Sequence, residues 1–196
     1  MTIFSESELR TLYLKKGRSV KDIAKLFGCS AHKVKYWMEG YHIPTRSISE
    51  AIYLKNNPDG DPFKFVPPKN IVDAKLFGLG IGLYWGEGTK ADKASVRLGN
   101  TDPKLLKDFI RFLTKFFQVE VPDFHFGLQL FNDIDPKRAM DFWSKTLRIN
   151  KRQFYKTIVT KSVSQGTYKK KAQYGVLTVY YHNKKLRDLL LSLVPM

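Results

Sequence analysis

The spacing of apolar residues predicts a helical first part followed by a part in which helices and strands alternate. Residues 1–55 contain three stretches with the apolar spacing of short helices, SESELRTLYLKKG, SVKDIAKLFG and SAHKVKYWMEGY. Segment 56–70, NNPDGDPFKFVPPKN, has four prolines and one glycine. Proline fixes φ and removes a backbone donor, so this segment predicts a linker between a domain at 1–55 and one at 71–196.

The second part changes its apolar period several times. ASVRLGN and DFHFGLQLF alternate apolar and polar residues, as strands do, and two helical stretches begin with Asp-Pro at Asp102 and Asp135. QFYKTIVTK and YGVLTVYYH predict two further strands, and KKLRDLLLSLV a closing helix. The expected fold is α+β with the order αβαβαββα and helices covering one face of the sheet. The other face carries Arg97, His125 and Gln129, either as an open surface for DNA or as an ordinary solvated face.

The charge of the chain points to a polyanionic partner. Lysine and arginine number 34 against 18 acidic residues, which gives a net charge of +16, and residues 142–187 contain no Asp or Glu. A field of one sign repels itself, so a nucleic acid is the expected partner and a merely soluble basic surface is the alternative. Candidate contacts in this acid-free stretch are Lys161, Lys169, Lys170 and Lys171.

Three small or aliphatic residues have the spacing of a tight helix pair. Ala24 permits two helices to cross closely, Gly28 suits the turn, and Val34 fixes the second helix. Over about residues 7–45 the pattern resembles the helix-turn-helix DNA-binding family, which makes SAHKVKYWMEG the recognition helix. The resemblance implies a cap at Ser30 and DNA contacts from the outer residues His32, Lys33, Lys35 and Tyr36; a hairpin for protein contacts is the alternative. Arg46 is either a phosphate or minor-groove contact or a plain loop arginine.

A glycine stripe marks the helix predicted at the start of the second part. Gly78, Gly82 and Gly86 recur at intervals of four, so they share one face and permit close approach of another helix backbone. If that helix belongs to a second copy of the chain, two Glu87 carboxylates come together. Shared divalent cations would hold both ionised, and Mg²⁺ prefers such oxygen ligands.

At these residues the sequence GLGIGLYWGEG resembles the LAGLIDADG homing-endonuclease motif, in one copy, with the nine-residue frame on Gly80 to Gly88. The resemblance implies an αββαββα domain with a saddle-shaped antiparallel sheet that holds DNA and a motif helix that forms the homodimer interface. It also implies Mg²⁺-dependent double-strand cleavage, with Glu87 as the catalytic acid and metal ligand and the Gly86 carbonyl as a second ligand. A basic residue near the scissile phosphate is expected, and Lys156, Lys90 and Lys93 are its candidates. Gly80, Trp85 and the use of glutamate at position 87 depart from the usual motif.

These features lead to one main functional prediction and two alternatives. The main prediction is a homodimeric LAGLIDADG-type DNA endonuclease; the alternatives are a non-cleaving transcriptional regulator built on the same domain and an RNA-binding or splicing helper. The only cysteine, Cys29, excludes a disulfide framework. No signal peptide or membrane span is expected, which predicts a cytoplasmic, nucleoid-associated protein.

Overall fold

The computed structural model describes residues 5–161 and 172–194. The chain forms two compact units, Met1–Pro62 and Phe63–Met196. Within the described residues, eight α-helices and one four-stranded sheet give an α+β fold, in agreement with the predicted class.

The first unit is a small helical bundle. Its helices are α1 (Glu6–Arg10), which continues as a π-helical turn over Thr11–Lys15, α2 (Val20–Leu26), α3 (Ala31–Gly40) and α4 (Ile48–Asn56). Serine caps each α-helix, because its hydroxyl accepts from a first-turn backbone N–H that has no partner within the helix; the capping residues are Ser5, Ser19, Ser30 and Ser47.

The turn between α2 and α3 follows the sequence prediction. Gly28 has φ +60°, a left-handed conformation that glycine adopts without the cost other residues meet. Ala24 and Val34 are both buried in the core of this unit. That core also contains Leu9, Leu12, Tyr13, Ile23, Met38 and Ile43.

The second unit has the predicted αβαβαββα order across the described residues. Its elements are α5 (Ile71–Glu87), β1 (Val96–Asn100), α6 (Pro103–Phe117), β2 (His125–Phe131), α7 (Pro136–Leu147), β3 (Ile158–Thr160), β4 (Val176–Tyr181) and α8 (Lys184–Leu193). Because α6 separates β1 from β2, this order differs from the αββαββα order that the family resemblance implies.

The sheet is mixed, so the prediction of an antiparallel sheet was wrong. Its strand order is β1-β4-β2-β3; β4 is antiparallel to both β1 and β2, whereas β3 runs parallel to β2. Helix α7 connects β2 to β3, and such a crossover returns the chain in the same direction. Strand β3 is also shorter than the predicted stretch, because Lys151–Gln153 form a 3₁₀ turn before it.

One face of the sheet builds the core of this unit. Alternate strand residues such as Leu98, Phe126 and Val179 are buried among the aromatic residues of α6. Helix α5 lies against α6 at Gly80, where a Cβ atom would stand 2.1 Å from Cγ of the fully buried Phe112. Gly80 therefore serves helix packing within one chain, whereas Gly78, Gly82 and Gly86 do not.

Half of the proline-rich segment belongs to the second unit. The backbone N–H of Lys64 donates to the Phe117 carbonyl at 3.0 Å, and that of Val66 to the Phe116 carbonyl at 2.8 Å. The Phe65 ring lies 5.4 Å from the Phe117 ring. Residues from Phe63 onward are thus anchored beside α6, and the boundary between the units falls within segment 56–70.

Tyr84 offers a stability test inside this core. The residue is fully buried, its hydroxyl has no hydrogen-bond partner among the described residues, and burial raises the pKa of the phenol. An unsatisfied buried polar group costs about 1–3 kcal/mol, so Tyr84→Phe should raise the free energy of unfolding by up to that amount in urea denaturation. Tyr155→Phe, which removes a hydroxyl bonded to His182, should give no such gain. A lower stability of Tyr84→Phe would contradict the assignment of an unpaired hydroxyl.

Candidate nucleic-acid interface

Helix α5 leaves its glycine stripe uncovered in the single chain. Ideal Cβ atoms built at Gly78, Gly82 and Gly86 meet no atom within 4 Å. On the same exposed side, Leu79 is 46% and Trp85 55% exposed. A helix surface that combines missing side chains with exposed apolar ones is suited to close contact with another apolar helix.

Glu87 is the last residue of this helix, and its side chain is exposed. The C-terminal end of a helix carries partial negative charge, so a carboxylate there is unfavourable unless a cation lies nearby. Lys90 supplies one cation, since its Nζ donates to the Trp85 carbonyl. Lys90, a predicted DNA contact, therefore also caps the C-terminal end of α5.

The segment after α5 is fixed against the edge of the sheet. Gly88 forms a bridge with Leu98, and the Thr89 N–H donates to the Arg97 carbonyl at 3.0 Å. Arg187 on α8 donates to the Lys90 carbonyl at 2.7 Å and to the Asp92 carbonyl at 3.0 Å. Glu87 is therefore followed directly by an extended segment, beginning at Gly88, that lies beside β1.

The donors at the end of α5 suit a hard cation only when two copies contribute. Each chain offers the Glu87 carboxylate and the Gly86 carbonyl, oxygen ligands of the kind that Mg²⁺ takes. Within the part of the chain that the structure describes, no group of three or more His, Cys, Asp or Glu side chains is placed to hold a metal ion. A second copy would double the carboxylates and carbonyls at this point.

The open face of the sheet carries the three residues predicted for it. On the central strand β4, Tyr180 pairs with Arg97 of β1 on one side and with His125 of β2 on the other. Gln129 of β2 pairs with Val176 of β4. Arg97 is engaged within the chain: it pairs with Asp92, its Nε donates to Ser95 Oγ at 2.8 Å, and its guanidinium lies 5.0 Å from the Tyr180 ring centroid.

A group of aromatic rings surrounds His125, and we call His125, Tyr155, Tyr180 and His182 the sheet-face cluster. The Tyr155 ring stacks on His125 at 5.3 Å and 12°, and its hydroxyl lies 2.5 Å from His182 Nε2. Tyr180 and His182 are also stacked, at 6.1 Å. His125 Nδ1 is buried and has no hydrogen-bond partner among the described residues.

Burial shifts the protonation of two members of the cluster. It raises the pKa of the Tyr155 phenol, so the hydroxyl stays protonated near neutral pH. Burial, together with the neighbouring His125 and Arg97, lowers the pKa of His182, and Asp92 opposes this shift only in part. His182 is therefore neutral at pH 7 and adds no positive charge to the cluster.

Sequence reasoning found only His125 in this cluster. Alternation along YGVLTVYYH does place Tyr180 and His182 on the open side, two residues apart, and that signal was available. Tyr155 gave no such signal, because its place depends on the donation of its backbone N–H to the Phe126 carbonyl at 2.8 Å.

The predicted lysines of the second unit are dispersed. Lys93, Lys156 and Lys161 are exposed. Lys156 follows Tyr155 directly, which places its backbone at the border of the sheet-face cluster. Lys169, Lys170 and Lys171 lie outside the described residues.

The predicted contacts of the first unit lie mostly on the outside of α3. His32, Lys35 and Tyr36 are exposed, Tyr36 at 67%, while Lys33 is half-buried at the side of the helix. Ser30 accepts from the Lys33 N–H at 3.2 Å and so acts as the predicted cap.

Arg46 is tied into the first unit itself. Its guanidinium lies 4.0 Å from the Tyr13 ring centroid, and its Nη1 donates to the Gly17 carbonyl at 3.1 Å. Its Nη2 is buried without a partner among the described residues. These contacts favour the interpretation of Arg46 as a structural loop arginine.

The comparisons with known proteins add no family to this description. The chain matches no protein-family model, no curated protein and no solved structure. In the described parts of the chain, every helix is too short or too polar to cross a membrane.

Proposed function

We propose that the protein binds double-stranded DNA as a homodimer and cleaves it in a Mg²⁺-dependent reaction, as a LAGLIDADG-type homing endonuclease does. The observation that carries this proposal is the uncovered glycine stripe of α5, which ends at an exposed carboxylate next to the segment that pairs with the edge strand β1. The net charge of +16 supports a polyanionic substrate.

In this proposal the two copies meet along Gly78, Gly82 and Gly86. The close approach of the two helices brings both Glu87 carboxylates to the centre of the dimer, next to the Gly86 carbonyls. Mg²⁺ bound by these oxygens would supply an activated water and neutralise charge on the phosphodiester. Glu87 is the group that holds the metal, and the anchored segment 88–95 fixes its position relative to the sheet.

The remaining basic residues bind and orient the duplex. The open face of the sheet contacts the DNA next to the cleavage site, with Arg97, His125 and Gln129 on its surface. Lys156 and Lys93 lie exposed and are the candidates for the phosphate next to the scissile bond. Helix α3 of the first unit adds a second contact with DNA through His32, Lys35 and Tyr36.

The proposal is tested first by measuring the molecular mass in solution and then by a DNA cleavage assay. Light scattering with and without a generic duplex should give a dimer in at least one condition. A pool of duplex targets should then be nicked or cut with Mg²⁺ and remain intact with a chelator. A protein that binds the pool without cutting it under any divalent cation would instead be the non-cleaving regulator, and a preference for structured RNA over duplex would favour the RNA-binding alternative.

The contribution of α3 can be measured through the salt dependence of duplex binding. Each lost phosphate contact makes the negative slope of log K against log salt less steep by about 0.9, and neutral replacements at Lys33 and Lys35 remove two candidate contacts. We therefore expect Lys33→Gln and Lys35→Gln to weaken duplex binding, measured by fluorescence anisotropy, and to make this slope less steep. Lys25→Gln, an exposed lysine on α2, is the matched control and should leave the slope unchanged. Equal slopes for all three variants would remove α3 from the interface.

A further inference from the structure

We propose that the sheet-face cluster is a phosphodiester-binding subsite that takes up a proton when it is occupied. This inference rests on the proposed function, since it places a backbone phosphate of the bound duplex on His182, Tyr155 and His125. It adds to that function a defined ligand position and a dependence of DNA affinity on pH.

The cluster lies in one row with the end of α5. Thr89 bonds to Arg97, Arg97 lies opposite Tyr180, and Tyr180 lies opposite His125. Neighbouring strands are about 4.8 Å apart, so three spacings place His125 about 14 Å from Thr89. Phosphates advance by about 3.4 Å per base pair along one strand, and a duplex held at the helix end therefore reaches the cluster about four base pairs away.

The hydrogen bonds of the cluster make it a conditional donor site. In the neutral tautomer with the hydrogen on Nδ1, His182 Nε2 can only accept, so the Tyr155 hydroxyl donates to it across 2.5 Å. When His182 takes up a proton from solvent, both of its nitrogens become donors and Nε2 donates to Tyr155 Oη. The Tyr155 hydroxyl hydrogen is then free to point outward and donate to a phosphate oxygen. His182 and Tyr155 are both exposed enough for such contact, Tyr155 at 41%.

The charges around His182 explain why a phosphate should change its protonation. Its charged or titratable neighbours are His125 on β2, Arg97 on β1, Asp92 before β1 and the two tyrosines. Arg97 and Asp92 pair with each other, so neither is a free counter-charge for a ligand. A phosphodiester adds one negative charge next to the imidazole, which favours the protonated form. The pKa of His182 is therefore lower in the free protein than in the complex. Binding takes up a proton, and affinity increases as the pH falls.

The first test uses inorganic phosphate and the imidazole NMR signals, and it does not depend on DNA binding. The chain has four histidines, and His42 in the first unit, which has no predicted contact with DNA, serves as the internal reference. Added phosphate, at matched ionic strength, should raise the pH midpoint of His182 and leave the His42 signal unaffected. Unchanged His182 and His125 signals would overturn the proposal. So would signals that respond to a nucleoside without phosphate and not to phosphate, since the cluster would then stack bases.

The second test measures duplex affinity against pH at constant ionic strength. Where one proton is taken up, affinity should rise by up to about tenfold per pH unit as the pH falls from about 8 to 6. His182→Gln should flatten this profile, whereas His42→Asn, at an exposed histidine of the first unit, should leave it unchanged. Equal pH slopes for wild type and His182→Gln would overturn the subsite. Absence of duplex binding at any pH would instead contradict the proposed function, while a phosphate-dependent shift of His182 would still support the subsite.

Discussion

Replacement of Glu87 by glutamine should abolish Mg²⁺-dependent cleavage and leave duplex binding nearly intact. Glutamine keeps the size of the side chain but removes the negative charge that would hold the metal at the end of α5. Loss of even an outer-shell partner of a metal ligand costs 10- to 100-fold, so loss of the ligand itself should cost at least about 100-fold in the cleavage rate. The measurement is a single-turnover assay on a selected duplex, with affinity determined separately by anisotropy.

Glu120→Gln is the matched control for this experiment. Glu120 is also an exposed glutamate of the second unit, but it precedes the 3₁₀ turn at Val121–Asp123, away from the end of α5. Its replacement makes the same change in net charge and should leave cleavage unchanged. Identical cleavage by wild type and Glu87→Gln would show that this carboxylate holds no metal, and absence of cleavage by wild type would favour the regulator.

The order of helices and strands could be predicted because each period reflects a buried face. Alternation over DFHFGLQLF reports that Phe126, Leu128 and Leu130 point into the core, and these residues are all buried. The direction of β3 could not be predicted in the same way. Ile158 and Val159 are 60% and 50% exposed, so neither shows which neighbour the strand pairs with. That neighbour is set by the path of α7, which the residues of β3 do not encode.

The candidate site was only partly visible in the sequence for a related reason. Glu87 and the glycine stripe are consecutive on one helix, and their relation follows from helical spacing alone. The sheet-face cluster instead joins side chains from residues 125, 155 and 182, which only the fold brings together. A count of basic residues also does not show which of them are engaged within the chain. Arg97 is paired with Asp92, and Arg46 donates to a backbone carbonyl of its own unit.

The glycines of α5 differ in what surrounds them, and alanine scanning should separate their roles. Gly80→Ala places a methyl group 2.1 Å from Cγ of the fully buried Phe112. Such overpacking costs about 1–3 kcal/mol, so the free energy of unfolding should fall by at least that amount. Gly82→Ala meets no atom in the single chain and gains helix propensity, so dilute monomer should become more stable by up to about 1 kcal/mol.

Alanine at two positions of the stripe, Gly82 and Gly78, tests the dimer. If a second α5 packs on the stripe, the methyl group of Gly82→Ala separates the two backbones and should weaken self-association, which sedimentation equilibrium measures directly. Gly78→Ala should act in the same direction, since its Cβ is equally free in one chain. Unchanged self-association in both variants would exclude the stripe as the interface. The two Glu87 carboxylates would then have no reason to meet, and the cleavage proposal would lose its second acid.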